Sequence, residues 1–378
     1  LSEFQPVRGY ASSMEQALFF YSDENGKLPY TLLYRDVANN YRKIDSPSGK
    51  VIAGENTEKT SFIYRFSKPA YFIPAKENGG LTIGYSENPN NDYEFQRLLP
   101  HMVSVPGPFI CKADVLNNGS DEIYVSGSQG KTASFLIQDI YGKYNAYSLP
   151  AFIDDNDYED EGCVFVDVNN DGFKDLFVSS GGGIYEPGNA ENEDRLYISN
   201  GKGSFSKEKL SNTSFVNGGT TIDGDFNKDG IRDVLVAGRV YPNNNPLPAP
   251  FTLWLGDGKS LYEADANSLF PEINTLGMVQ DINYIDLNKD GFKDLICTGH
   301  WMGVRVYFGN KSKKFDQAVT ISADKKGWFN TLEVKDLNND GFLDILVGNE
   351  GMNNKFRASE EHPLAVYLND FDDSGTQD

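Results

Sequence analysis

The 378-residue chain carries 34 Lys and Arg against 55 Asp and Glu, a formal charge of −21. So acidic a surface repels phosphate backbones and excludes a nucleic-acid partner. The chain holds no run of about 18 apolar residues, so no helical membrane span is expected. Leu1 is not an initiator Met and no signal-peptide pattern is visible, which predicts a mature or trimmed fragment.

In chain order, residues 1–75 hold strand-like runs at 17–21 and 61–66 between polar loops. They predict a small N-terminal β segment. Residues 76–95, rich in Asn and Gly, read as a connection into the larger domain, 76–378. That domain is organised by a recurring nonapeptide. Asp-x-Asn-x-Asp-Gly-x-x-Asp starts at Asp167, Asp225, Asp286 and Asp336, and each copy is followed by a short apolar run.

Oxygen side chains at positions 1, 3, 5 and 9, with Gly at the sharp turn of position 6, suit calcium, which takes six to eight oxygens. The expected ligands are Asp167, Asn169, Asp171 and Asp175 in the first copy, then Asp225, Asn227, Asp229 and Asp233. The third and fourth copies supply Asp286, Asn288, Asp290 and Asp294, then Asp336, Asn338, Asp340 and Asp344. Position 7 is Phe173, Ile231, Phe292 or Phe342, which contributes only its carbonyl. An EF-hand is excluded, because position 12 is Val178, Val236, Cys297 or Val347 instead of a bidentate Glu. The flanks are β-branched and aromatic, so each loop joins two strands. One copy alone is an ordinary acidic turn; four with the same oxygens argue for metal.

Two weaker copies bracket these. The one at Asp114 has Leu116 at position 3 and Glu122 at position 9, and reads as the same hairpin with a poor or absent metal site. The one at Asp370 offers Asp370, Asp372, Ser374 and Asp378. Its last ligand is the final residue, with no strand to hold it, so this fifth site is predicted empty or weak.

Loop starts at 114, 167, 225, 286, 336 and 370 recur at roughly the spacing of propeller blades, the short last gap marking an atypical final unit. Further strands are expected at 195–198, 251–255 and 304–308, and Asn200-Gly201 is a hairpin turn signal. Several strands per unit and no amphipathic helix predict an all-β chain, a β-propeller rather than a solenoid.

Catalytic patterns are sparse. His101, His300 and His362 have no spacing of a zinc site or triad, and no Gly-x-Ser-x-Gly elbow occurs. The acidic run Asp154, Asp155, Asp157, Glu159, Asp160 and Glu161 reads as a solvated or metal-associated loop. Cys111, Cys163 and Cys297 lie on strands beside the loops and read as small buried apolar residues, not as a disulfide framework or zinc site. Trp254, Trp301 and Trp328 offer stacking surfaces for a glycan, though packing is the commoner use of such rings. The expectation is a non-enzymatic binding or scaffolding module. The alternatives are a carbohydrate lyase or hydrolase, which needs a base or a carboxylate pair in a cleft, and a lectin.

The loops resemble the FG-GAP or VCBS repeats of integrin-type propellers. Segments such as 97–102, 194–197, 238–242, 299–302 and 348–353 extend the likeness to the ASPIC/UnbV, cartilage acidic protein-like family, in its Bacteroidetes-type surface form. Residues 8–13 resemble a piece of the ASPIC/UnbV domain. The resemblance implies a secreted or cell-surface protein with a calcium-stabilised propeller and no established chemistry. It implies a protein or glycan partner, with an outer-membrane nutrient importer as one such partner. Members of that family continue past the end of this sequence, so the propeller is expected to be C-terminally incomplete.

Overall fold

A computed structural model describes residues 85–87, 90–94, 99, 101–105, 107–210, 218–242, 244–312, 314–321, 327–351, 356, 358–359 and 361–371, with the backbone of five earlier strands. The chain divides into two units, Leu1–Asn78 with Gly351–Leu364, and Gly79–Glu350 with Ala365–Asp378. In the first unit, β1 (Phe4–Gly9) pairs antiparallel with β2 (Gln16–Tyr21). There too, β3 (Tyr30–Arg35) lies between β4 (Tyr41–Ile44) and β5 (Ser61–Phe66).

The second unit is a succession of four-stranded antiparallel sheets, each strand pairing with the next in sequence. The first sheet is β6 (Ile110–Ala113), β7 (Glu122–Val125), β8 (Ser134–Gln138) and β9 (Tyr144–Tyr147). A single helical turn, α1 (Pro150–Ile153), leads to the second: β10 (Asp160–Val166), β11 (Asp175–Ser180), β12 (Arg195–Ser199) and β13 (Phe205–Glu208). The third is β14 (Thr221–Gly224), β15 (Asp233–Val236), β16 (Thr252–Gly256) and β17 (Leu261–Ala264). The fourth is β18 (Met278–Ile285), β19 (Asp294–Met302), β20 (Val304–Phe308) and β21 (Gln317–Ile321). β22 (Gly327–Lys335) and β23 (Asp344–Asn349) begin a fifth, joined to the fourth where His300 pairs with Trp328. The first strands of the first four sheets lie beside one another in succession, a propeller-like order. No helix among the described residues is long and apolar enough to cross a membrane, an observation silent on β-barrels.

Period-two alternation explains the continuous apolar runs. Along β11, Leu176 and Val178 point into the layer shared with the first sheet, while Phe177 points into the layer shared with the third. On β15, Val234 and Val236 face the second sheet and Leu235 the fourth. On β19, Leu295 and Cys297 face the third sheet and Ile296 the fifth. The second strands β11, β15 and β19 are therefore buried on both faces, whereas β23 is only half-buried and leaves Leu346 exposed. Burying one such side chain contributes about 1.5–3 kcal/mol. Trp254 belongs to this packing: it is fully buried, with its indole N–H donating to Asp194 at 2.9 Å, so it is not available for stacking. All three cysteines are free; Cys297 is buried, and Cys111 and Cys163 are half-buried.

Candidate functional site

Each acidic loop joins the first strand of a sheet to the second. Position 4 adopts a left-handed backbone, with φ of 57° at Asn170, 58° at Lys228, 61° at Lys289 and 59° at Asn339. Gly at position 6 has φ between 86° and 89° in these four loops, a conformation other residues take only with strain. The side chains fold back onto this turn. Asp167 accepts the Gly172 N–H at 3.1 Å, Asn169 accepts the Asp171 N–H at 3.0 Å, and Asp171 accepts the Phe173 N–H at 2.9 Å. The loops at Asp225, Asp286 and Asp336 repeat all three bonds.

Position 9 has a role that the sequence did not reveal. Asp175 accepts the Val168 N–H at 3.1 Å and the Ser199 N–H at 2.9 Å, on its two oxygens. Asp233 does the same with Phe226 and Gly256, and Asp294 with Leu287 and Gly309. Asp344 accepts from Leu337 at 2.9 Å. Asp175, Asp233 and Asp294 are completely buried, and burial pushes Asp175 and Asp233 up to about 6. The carboxylate thus clamps the loop to the third strand of its sheet. In the loop at Asp114, Glu122 makes only the loop half of this clamp, accepting from Val115 and Leu116 on one oxygen.

The loops also touch one another. The Asn117 side chain donates to the Gly172 carbonyl at 3.2 Å, and the Lys289 ammonium donates to the Gly341 carbonyl. Lys228 lies 5.2 Å from the Phe292 ring and Lys289 5.3 Å from the Phe342 ring. Position 4 of one loop therefore reaches positions 6 or 7 of the next.

The donors at positions 1, 3 and 5 are all oxygens, the chemistry calcium requires. Asp167 Oδ1 is buried with no hydrogen-bond partner, which leaves it open to a cation. Among the described residues, no three His, Cys, Asp or Glu side chains converge on a metal by themselves, so Asn and main-chain oxygens would have to complete each shell. Of the loop at Asp370, residues Asp372, Ser374 and Asp378 lie outside the described residues.

The far ends of the second strands carry different chemistry. Most of the run read as a solvated or metal-associated loop is instead buried: Glu159 and Glu161 are 0% exposed and Asp160 2%, while Asp154 and Asp157 stay exposed. Its partners come from distant positions that local sequence could not reveal. Arg195 on β12 pairs with Asp160, which also accepts from Tyr124 at 2.8 Å and the Gly127 N–H at 2.7 Å. Asp155 takes Tyr197 at 2.6 Å and Lys207 at 2.7 Å. Arg239, just past β15, pairs with Glu161 and donates to the Val103 carbonyl at 2.6 Å. Burial pushes Glu159 up to about 8 and Glu161 up to about 7.

At the same ends, His101 and His300 meet edge-on at 5.1 Å, despite their sequence separation. His300 bonds Asn330 at 2.7 Å, and burial lowers its pKa to about 4. Trp301 and Trp328 meet at 5.4 Å. Trp301 has φ of 64° where the pairing of β19 with β22 bulges, a strained conformation for a bulky residue. His362 belongs to the other unit.

Comparison with known proteins agrees with the repeat reading. The FG-GAP-like repeat family matches residues 167–236 and 286–347, so the chain carries FG-GAP-like repeats. No curated protein sequence matches it. Among solved structures, a lectin of Agrocybe aegerita, described as recognising non-reducing terminal N-acetylglucosamine, aligns with a TM-score of 0.44 and 18% identity over 64% of the chain. The aligned part spans 60% of that lectin's length.

Proposed function

We propose that the chain is a non-catalytic, calcium-stabilised β-propeller of the integrin-type FG-GAP class. Residues 1–75 form its N-terminal β segment and 76–378 the propeller, in the manner of ASPIC/UnbV proteins. Its work is to bind a protein or glycan at the surface of a cell, as a secreted or outer-membrane-associated module. An importer complex is one fitting partner. The observation that carries this reading is the four-fold loop with identical backbone and identical oxygens, each loop touching a neighbour.

Positions 1, 3 and 5, the carbonyl of position 7 and the remaining lone pairs of position 9 would hold the ion. When bound, calcium neutralises carboxylates that otherwise repel one another. The chain's own residues do the rest: Gly at 6 shapes the turn, and the position-9 carboxylate anchors it to the sheet. The buried acids at the opposite ends favour binding over catalysis, because their partners are structural arginines and main-chain N–H groups.

Calcium titration by calorimetry, with unfolding followed in calcium and in excess chelator, tests the reading. Extracellular calcium modules bind at about 10⁻⁴–10⁻³ M. Tenfold excess then stabilises by about 1.4 kcal/mol per site. An unchanged melt in chelator and no heat of binding would overturn it.

A further inference from the structure

Two of the chain's thiols meet across the first pair of sheets. Cys111 stands on β6 opposite Tyr124, and Cys163 stands on β10 opposite Val178. Tyr124 and Val178 belong to the apolar layer between the first and second sheets, and both cysteines pack against it. Ala113 and Phe165, two residues further along each strand, share that layer, as period-two alternation requires. β6 and β10 lie next to one another as the first strands of their sheets. Within the layer the Cys111 and Cys163 thiols share a hydrogen bond.

The repeat itself creates this meeting. Cys111 lies three residues before its acidic loop, and Cys163 four residues before the next one. The same two positions in the layer between the third and fourth sheets are Ile222 and Ile282, which also pack in one cluster. Neighbouring first strands thus bring one side chain from each sheet together at this level, and at the first layer both are thiols. Cys297 packs in another cluster, on β19, and is completely buried. Cys111 and Cys163 are half-buried and reduced in the structure, so a small reagent can reach them. Among the described residues no further His, Cys, Asp or Glu joins them to complete a metal shell.

We propose that Cys111 and Cys163 form a redox-controlled disulfide that staples the first sheet to the second. Two thiols already in contact need mainly side-chain rotation to bond. The oxidant is a small disulfide such as oxidised glutathione. One cysteine, as thiolate, attacks a glutathione sulfur and expels one glutathione thiolate, leaving a mixed disulfide. The other cysteine loses its proton, attacks the protein sulfur of that mixed disulfide and expels the second glutathione. Two electrons leave the protein, the glutathione S–S bond becomes two thiols, and the two protons pass to them through solvent. Burial, then Cys163 and Asp160, hold the Cys111 thiol protonated, so the exchange is slow and gains from mild alkali. The staple adds to the calcium reading and does not depend on it.

The test takes the full chain, reduced and then freed of reductant, into oxidised glutathione under native, mildly alkaline conditions. After an acid quench, denaturation and alkylation, non-reducing peptide mapping reads the sulfurs. Cys111 and Cys163 should appear as one linked pair, with Cys297 alkylated. The oxidised chain should unfold about 5 °C above the reduced one, and a thiol reductant should return it. Cys163→Ser and Cys111→Ala should each lose that gain, and the peptide map needs no variant if either fails to fold. Both thiols alkylated after oxidation, glutathione mixed disulfides alone, a link to Cys297 or to a second chain, or a linked pair with no shift in unfolding would overturn the proposal. Protection from alkylation that a chelator removes would assign the pair to a metal and overturn it as well.

Discussion

Two Arg–Asp pairs in this chain share their chemistry and differ in burial, and that difference predicts their worth. Arg195 and Asp160 have side chains 2% and 3% exposed, whereas Arg232 and Asp223 are 41% and 24% exposed. Replacing Arg195 by Met leaves Asp160 buried beside Tyr124 and Gly127 with no cation. Breaking a buried pair from one side destabilises by about 3–5 kcal/mol. Arg195 also loses its place 4.3 Å from the Tyr158 ring and its bond to Ser180 at 3.2 Å, which adds to the deficit. The two donors left on Asp160 soften it, so about 4 kcal/mol is expected. Arg232→Met removes a pair that water already screens, and about 0–1 kcal/mol is expected. Urea unfolding of both variants in saturating calcium measures the difference. Equal losses, or a loss under about 1 kcal/mol for Arg195→Met, would refute the claim that burial sets the worth of the pair.

The loop positions separate by calcium dependence. Asp229→Ala should destabilise much more in calcium than in chelator, where it loses the exposed bond from the Ile231 N–H, while Asp233→Ala should destabilise strongly in chelator as well, because it strips buried acceptors from Phe226 and Gly256; unfolding midpoints with and without chelator decide, and a silent Asp233→Ala in chelator would remove the clamp. Glu159 carries a pH signature. Its folded pKa of about 8 exceeds the ordinary 4.5, raised by burial, Glu161, Glu87 and Asp160 against the opposing Gln129 N–H. The folded state then holds the extra proton between those values, so stability falls as pH rises through that window, by a few kcal/mol at most. Glu161, raised to about 7, adds a slope of the same sign. Glu159→Gln should flatten the decline seen in urea melts from pH 5 to 9; an unaltered slope would show that Glu159 ionises normally.

The loops and the all-β architecture were legible because both are local. Asp, Asn and Gly at fixed spacing are turn formers whose oxygens stay near the turn, and the apolar run after each loop becomes a second strand, buried on both faces in β11, β15 and β19. Strand 304–308 coincides with β20, and 195–198 and 251–255 fall within a residue of β12 and β16. Partners supplied from far along the chain were not legible. Nothing near residues 154–161 shows that Arg195 and Arg239 will neutralise Asp160 and Glu161, so the run read as solvated. The same limit hid the second duty of position 9, whose N–H donor lies 24 residues away at Ser199. Tryptophans divide for the same reason: Trp254 faces the second sheet, where Phe177 awaits it at 6.0 Å, while Trp301 sits at a bulge that only strand pairing creates.

The two ends of the sheets therefore treat carboxylates in opposite ways. At the loop end, position 5 is exposed and position 1 half-buried, and an external cation is the economical way to relieve their repulsion. At the other end, carboxyls are drawn under the surface, where arginines neutralise some and the remaining oxygens keep open valences. Between the ends run close-packed apolar layers of alternating side chains. The loops instead couple sideways, through Asn117 to Gly172 and Lys289 to Gly341. Adding calcium should accordingly change how firmly successive sheets stay together.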